Sequence, residues 1–188
     1  MTDNRKRLTK ITTRAGDSGK TKLATGRTVH KASGVVRSMG SIDELNSHIG
    51  LLLAHLKAEQ QTHEPQLLLI QQNLFDMGAV FAMEGEFTAP DAATLEGEVE
   101  SLNASLPPLT EFVLPRGGIA ASASHVCRSV CRRAEGEVWA YIESLDNPTK
   151  AHTECAQYLN RLSDYFFVLA RILTEDTETQ WHGPGGDQ

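Results

Sequence analysis

The chain has 188 residues, of which 40% are hydrophobic and 22% charged, with a formal net charge of −6. This length suits one domain, and the composition is that of a folded globular protein, which excludes a disordered chain. No apolar run approaches the roughly 20 residues that a membrane helix requires, and no hydrophobic signal segment follows Met1. Three cysteines, an odd number, argue against a disulfide scaffold, so we expect a cytoplasmic protein with reduced thiols.

Basic residues are concentrated at the start of the chain. Residues 1–31 contain nine Lys and Arg side chains and two Asp, whereas the other 157 residues contain nine basic and 22 acidic side chains. Residues 5–10 are best interpreted as a solvated basic tail. The rest of the segment is rich in Gly and Thr, and indicates contact with an anion, either a nucleic acid or a small phosphate ligand.

From residue 34 onward, apolar residues recur at helical spacing. Short connections between long amphipathic segments favour an all-α fold, an antiparallel five-helix bundle. The breaks between the segments contain Pro, Gly and Asn. The predicted helices lie at about 34–60, 65–84, 91–106, 118–145 and 149–175.

The chain is predicted to divide into three parts around this single bundle domain. A phosphate-binding loop segment occupies 1–33, the bundle occupies 34–176, and a mobile tail occupies 177–188. The fourth helix has its apolar stripe at Val126, Val130, Ala134, Val138 and Ile142.

Two predicted helices carry a polar stripe beside the apolar one. A solvated helix face with local ion pairs explains either stripe alone. The crowding of three arginines into 128–133 favours an anion site instead. The stripes are Arg128, Arg132 and Glu135 on the fourth helix, and Asn160, Asp164 and Arg171 on the fifth.

The segment Gly16-Asp-Ser-Gly-Lys-Thr21 has the composition of a phosphate loop. It is not a Walker A motif, because that spacing requires a glycine where Arg14 stands and a hydrophobic strand before it. Glycines still let backbone N–H groups turn toward an anion, and Lys, Arg and Thr side chains add donors. An ordinary Asp-Gly turn explains the segment equally well.

Cysteine and histidine residues are the candidates for a metal site. Cys127 and Cys131 lie one helical turn apart near His125, but a closed zinc site usually needs four ligands. Cysteine at helical spacing is more often part of a core. No histidine follows an acidic residue by three positions, which excludes a di-iron carboxylate bundle. We therefore expect buried cysteines and no metal held by protein ligands.

From the residues alone, the prediction is a helical bundle with an anion site made by an N-terminal loop and two helix faces. The strongest alternative is a non-catalytic helical protein whose basic arm binds nucleic acid. That alternative calls for aromatic residues among the bases, and residues 1–31 contain no Phe, Tyr or Trp.

Four stretches, spread over nearly the whole chain, resemble the PduO-type cobalamin adenosyltransferases in sequence and in order. The second half of the chain carries the more specific ones. The stretches are Ile11-Thr-Thr-Arg-Ala-Gly-Asp-Ser-Gly, Gly40-Ser-Ile-Asp-Glu-Leu-Asn, Phe112-Val-Leu-Pro-Arg-Gly-Gly with His125-Val-Cys-Arg-Ser-Val-Cys-Arg-Arg-Ala-Glu, and Tyr158-Leu-Asn-Arg-Leu-Ser-Asp-Tyr-Phe-Phe-Val-Leu-Ala-Arg.

The resemblance implies an enzyme that transfers the 5′-deoxyadenosyl group of ATP to the cobalt of cob(I)alamin and releases triphosphate. It implies a homotrimer with ATP at the subunit contacts, and ATP, cobalamin and Mg²⁺ as ligands. A reductase or an adenosylcobalamin-dependent acceptor enzyme would be a partner, and neither nucleic acid nor a membrane would be. A family member that binds these ligands without turnover is a further alternative.

The resemblance also implies roles for particular residues. Asp43 and Arg128 would pair across the subunit interface, Phe112 would lie against the corrin, and Arg132 would contact the triphosphate. The remaining nucleotide-site residues would be Thr13, Arg14, Ala15, Gly16, Thr21, Lys22 and Lys31 from the N-terminal segment, with Glu135, Gly136 and Asn160 from the helices.

This sequence departs from the family pattern at three positions. Gly136 stands where the family usually has an arginine, so one phosphate or structural contact is lost or replaced. Thr12 stands for a common tyrosine, and Ser124 for a leucine. The first departure bears on affinity and not on the class of reaction.

Overall fold

A computed structural model describes residues 12, 14–83, 87–174 and 178–184. It confirms the predicted fold, since five α-helices contain most of the described residues. A hairpin of two three-residue antiparallel strands precedes them, and these strands are too short to show an alternating pattern in the sequence. The elements are β1 (Lys20–Lys22), β2 (Thr28–His30), α1 (Gly34–Ala54), α2 (Glu64–Ala82), α3 (Ala92–Asn103), α4 (Ile119–Glu143) and α5 (Lys150–Ile172).

The end of α1 differs most from the predicted boundaries. The sequence predicts a helix to about residue 60, but α1 ends at Ala54 and a 3₁₀ helix, Ala58–His63, follows. Side-chain amides compete here with the helical backbone: Gln60 Oε1 accepts from the Lys57 N–H at 3.0 Å, and the Gln61 amide donates to the Leu56 carbonyl at 3.2 Å.

Contacts between α4 and α5 establish that these two helices are antiparallel. Ser124 Oγ donates to the carbonyl of Phe166 at 2.8 Å, and Cys131 Sγ donates to the carbonyl of Leu159 at 3.1 Å. Residue numbers therefore rise along α4 as they fall along α5. Both bonds are buried, so they set the register of the two helices.

The same reversal joins α1 to α4. Ser38 Oγ donates to the carbonyl of Glu137 at 3.0 Å, and Glu44 pairs with Arg133 two turns further along α1. The short connections between consecutive helices and these pairings give the predicted antiparallel bundle. Among the described residues, no helix is both long and apolar enough to cross a membrane.

The core face of α4 is only partly the predicted one. Ala134, Val138 and Ile142 are buried as expected, but Val126 is 43% exposed. Cys127 and Cys131 are fully buried in its place, so the prediction of core cysteines is confirmed and the first half of the stripe was shifted by one residue. Packing against α5 decided this, because small side chains allow the two helices to approach closely.

The described part of the predicted tail, residues 178–184, contacts the rest of the chain. Thr179 and Trp181 form backbone hydrogen bonds with Leu114 and Phe112, each 2.8 Å long. Glu178 forms an ion pair with Arg171 of α5. The polar composition of the tail gave no sign of these contacts, since their partners lie about 70 positions earlier or inside α5.

Two glycines differ in whether the surrounding structure has room for a side chain. At Gly136, on the exposed side of α4, a Cβ would meet nothing within 4 Å. At Gly117, φ is +130°, and a Cβ would lie 2.6 Å from Thr174 Oγ1.

We expect Gly136→Ala to raise the free energy of unfolding by about 0.5–1 kcal/mol, because alanine loses less backbone entropy in a helix. Gly117→Ala should lower it, since an L side chain is strained at that φ and collides with Thr174. Urea unfolding of both variants checks the pair. Destabilisation by Gly136→Ala would mean that α4 is not a regular helix at that point.

Candidate active site

The N-terminal loop folds back on itself beside Lys31. The Asp17 N–H donates to the carbonyl of Arg14 at 3.3 Å, and the Gly19 N–H donates to that of Gly16 at 3.2 Å. Arg14 and Gly19 have positive φ, 59° and 78°. These turns reverse the direction of the loop, which ends at Gly19, where glycine tolerates the positive φ. The Lys31 N–H then donates to the Gly19 carbonyl at 2.9 Å.

Gly16 lies directly against the end of the Lys31 side chain. A Cβ at Gly16 would be 2.8 Å from Lys31 Nζ, so the missing side chain lets the ammonium approach the loop backbone. Such a loop, with an exposed ammonium beside it, suits an anion. The two predicted site residues Gly16 and Lys31, fifteen positions apart, are therefore brought together.

The hairpin separates two other predicted site residues. Thr21 is half-buried and pairs with Val29, which packs on the core, whereas Lys22 is exposed. Adjacent residues of a strand point to opposite faces, so one ligand cannot meet both side chains on the same face of the hairpin. Thr13, also predicted for this site, lies outside the described residues.

A second cluster lies on α4 and α5. The Asn160 amide donates to Glu135 Oε1 at 3.2 Å, so these two predicted residues meet. They line a cavity of about 300 Å³ whose other walls come from α3, α4 and α5. These other walls are Ala92, Glu96, Trp139, Ala156, Gln157 and Arg161.

The arginines of α4 fall into two groups. Arg133 forms an ion pair with Glu44, and this pair ties α4 to α1. Arg132 is exposed, and forms no hydrogen bond or ion pair with another described residue. Arg132 is therefore available to an anion, whereas its neighbour serves the fold.

Arg128 and Asp43 are not paired within the chain. Arg128 Nε is buried, and has no hydrogen-bond partner among the described residues. Asp43 is exposed on α1, where it borders an apolar cavity of about 350 Å³ that includes the 68%-exposed ring of Phe75. A buried guanidinium nitrogen without a partner is costly.

Phe112 is not part of the core. It lies in the connection between α3 and α4 and is 74% exposed, so its ring does not cap the bundle. Together with Arg128 and Phe167 it borders a cavity of about 480 Å³. The remaining lining, Leu109, Thr110 and Glu111, comes from the same connection.

Burial shifts the pKa of two cysteines and one histidine beneath these surfaces toward the neutral form. Burial raises the pKa of Cys127 and of Cys155 to about 12, so both remain thiols near neutral pH. Burial also lowers the pKa of His125, with help from the charge of Arg128 and against that of Glu178. The described residues contain no group of three His, Cys, Asp or Glu that could hold a metal ion.

Comparison with known proteins decides the family. The sequence model of the family described as cobalamin adenosyltransferase matches residues 11–173. A cobalamin adenosyltransferase of Cupriavidus metallidurans is 46% identical over 169 residues, which cover 89% of each chain. The chain belongs to the cobalamin adenosyltransferase family.

Further relatives support this membership in sequence and in fold. A corrinoid adenosyltransferase of Bacillus subtilis is 42% identical over 87% of this chain and 86% of that one. A variant of the PduO-type ATP:corrinoid adenosyltransferase from Lactobacillus reuteri, complexed with cobalamin and ATP, superposes with a TM-score of 0.85. It is 30% identical, and the match covers 93% of this chain and all of that one.

Within this cobalamin adenosyltransferase, the structure also locates residues that the sequence analysis missed. Trp139 lines the cavity beside Glu135, Phe167 lines the cavity beside Phe112, and Trp181 lies against Phe112. A tryptophan in an otherwise polar tail was the available signal for Trp181. Phe167 directly follows Phe166, which is fully buried in the core, and this second aromatic residue was the signal there.

Gly136 leaves open the space that the usual arginine of the family would occupy. No atom lies within 4 Å of the position its Cβ would take, so a side chain could begin at this position without a clash.

Proposed function

We propose that this site carries out its family's reaction with the residues described above. As a corrinoid adenosyltransferase, the protein transfers the 5′-deoxyadenosyl group of ATP to the cobalt of cob(I)alamin. Cobalt attacks C5′ of ATP and is oxidised from Co(I) to Co(III), while the C5′–O bond breaks and its electron pair leaves with triphosphate. Cob(I)alamin is a strong nucleophile, so the reaction requires no side-chain base.

The protein has three tasks in such a reaction: it must align cobalt with C5′, stabilise the charge of the leaving triphosphate, and keep one face of the corrin dry. In our proposal Arg132 and Lys31 serve the second task as exposed cations without a described carboxylate partner. Phe112 serves the third, because its exposed ring adjoins an apolar cavity.

The single observation that carries the proposal is the Glu135–Asn160 pair, which lines a cavity between α3, α4 and α5. Arg132 lies three residues before Glu135 on α4, and has no hydrogen-bond or ion-pair partner among the described residues. An amide and a carboxylate can read the hydroxyl and amino groups of a nucleoside, and the arginine suits its phosphates. Mg²⁺ would be held mainly by the triphosphate oxygens, since Glu135 is the one carboxylate of that pair.

We further propose that the complete site forms between subunits of a homotrimer. The loop at 14–19 bonds to its own hairpin, whereas the walls of the Glu135 cavity come from α3, α4 and α5. The unpartnered Nε of Arg128 and the exposed carboxylate of Asp43 are complementary charges. The apolar cavity around Asp43 and Phe75 would be covered by the neighbouring subunit.

The substrate chemistry implies partners as well. Cob(I)alamin is made by reducing cob(II)alamin, so a cytoplasmic reductase would supply the electron, and an adenosylcobalamin-dependent acceptor enzyme would take the product. We propose neither a nucleic acid nor a membrane as a partner.

The first test of the function is direct. Protein, ATP and chemically reduced cobalamin are mixed without oxygen, and the absorption spectrum is followed for alkylcobalamin. We expect a cobalt–carbon bond to form and triphosphate to be released intact. Consumption of ATP to ADP and phosphate without alkylcobalamin would refute the assignment.

Arg132 can be tested against its neighbour. Arg132→Ala should lower kcat/KM roughly ten- to hundredfold, since a charge-assisted phosphate contact is worth about 1.5–3 kcal/mol. Arg133→Ala is the matched control: it loses only an exposed ion pair to Glu44, which contributes about 0–1 kcal/mol to stability. Equal activity of the two variants would remove Arg132 from the site.

The subunit pairing can be tested on two adjacent carboxylates of α1. Asp43→Asn should weaken both the trimer and the activity, because it leaves the half-buried Arg128 without a charge partner. Glu44→Gln is the control, since Glu44 is already paired within the chain. Sedimentation velocity measures assembly, and a fully active monomer would contradict a site shared between subunits.

A further inference from the structure

Arg171 is a buried cation that ties three parts of the chain together. Its side chain is 3% exposed. Its guanidinium donates to Glu178 through Nε at 2.6 Å and through Nη2 at 3.2 Å, and Nη2 also donates to the carbonyl of Pro107 at 2.8 Å. One residue of α5 therefore fastens both the start of the α3–α4 connection and the beginning of the described tail.

The tail then runs antiparallel to the part of the connection that contains Phe112. The Leu114 N–H donates to the Thr179 carbonyl, and the Trp181 N–H donates to the Phe112 carbonyl, both at 2.8 Å. Gln180 faces Val113 in an isolated β-bridge. These bonds fix the backbone of Phe112, which no helix supports.

The ring of Phe112 also has its aromatic neighbour in the tail. It lies edge to face with Trp181, with 6.1 Å between the ring centroids and an angle of 61°. Edge-to-face contacts of this kind stabilise aromatic pairs beyond the area that they bury. Because Phe112 is 74% exposed, the core does not restrain its ring, and the tail does.

We infer that Arg171 and Glu178 are positioning residues for Phe112: their ion pair docks the segment 178–181, and the docked segment orients the ring. The inference rests on the proposed function, in which that ring faces the corrin. An aromatic ring can deny a lower axial ligand to cobalt only while it is held in place. The polar residues Arg171 and Glu178 would therefore affect cobalt without touching it.

The test uses the full chain with Glu178→Gln, and with Trp181→Ala, whose ring is 41% exposed so that its removal spares the fold. Trp181→Phe should restore function as the conservative variant, and His182→Ala is the matched control one residue further along the tail. Phe112→Ala provides the reference defect.

Four quantities are measured: acrylamide quenching of tryptophan without corrinoid, the KM for ATP, turnover from pre-reduced cob(I)alamin, and turnover from cob(II)alamin with a reductant.

For Glu178→Gln, we expect stronger quenching and a loss of turnover from cob(II)alamin of roughly tenfold or more, since breaking a buried pair leaves an uncompensated charge and releases the tail. The KM for ATP should stay within about twofold, a change of about 0.4 kcal/mol. The spectrum of bound cob(II)alamin with ATP should lose its four-coordinate component, as in Phe112→Ala.

The outcomes separate this inference from the proposed function. If the wild-type protein forms no alkylcobalamin, the proposed function fails. If the wild type is active but Trp181→Ala retains the four-coordinate spectrum and full turnover from cob(II)alamin, the positioning role is wrong. A parallel loss of ATP affinity would also overturn it, because the tail would then support the fold in general. Should Glu178→Gln fail to fold, the spectrum and the turnover of Trp181→Ala decide whether the tail positions Phe112.

Discussion

The packing of α4 against α5 determines where the cavity beside Glu135 and the cavity beside Phe112 lie. Two buried bonds, from Ser124 to the Phe166 carbonyl and from Cys131 to the Leu159 carbonyl, join side chains of one helix to the backbone of the other. A slip of one turn, about 5.4 Å, would leave both side-chain donors unsatisfied in the core, at about 1–3 kcal/mol each. The register of the two helices is therefore fixed, and it brings Glu135 opposite Asn160.

The arginines of α4 differ in whether they have a carboxylate partner. The exposed pair of Arg133 with Glu44 serves the fold, while Arg128 and Arg132 remain without a carboxylate among the described residues. Exposed ion pairs contribute little to stability, so the separation matters mainly for binding. Arg128 and Glu135 are seven residues apart, about 10 Å along a helix, so the cavity beside Phe112 and the cavity beside Asn160 each take a lining residue from the same stretch of α4.

How far the site could be predicted depended on how local its signal was. Arg132, Glu135 and Asn160 were predicted because helical spacing alone puts polar residues on one face, and the family motif selects among them. Arg171 shows the limit: its spacing puts it on the polar stripe with Asn160, yet it is buried and bound to Glu178. The helical periodicity predicts which face of the helix a residue lies on. It does not predict whether another segment of the chain packs on that face and buries the residue.

The sequence by itself determined the number of the helices, most of their boundaries and the family, since each is expressed in residues close together along the chain. Only the tertiary structure decided that Cys127 replaces Val126 in the core, that Gly16 meets Lys31, and that the tail holds Phe112. These features depend on pairs of segments far apart in sequence. Such pairs are selected by packing density and by the need to satisfy buried polar groups, which no local pattern records.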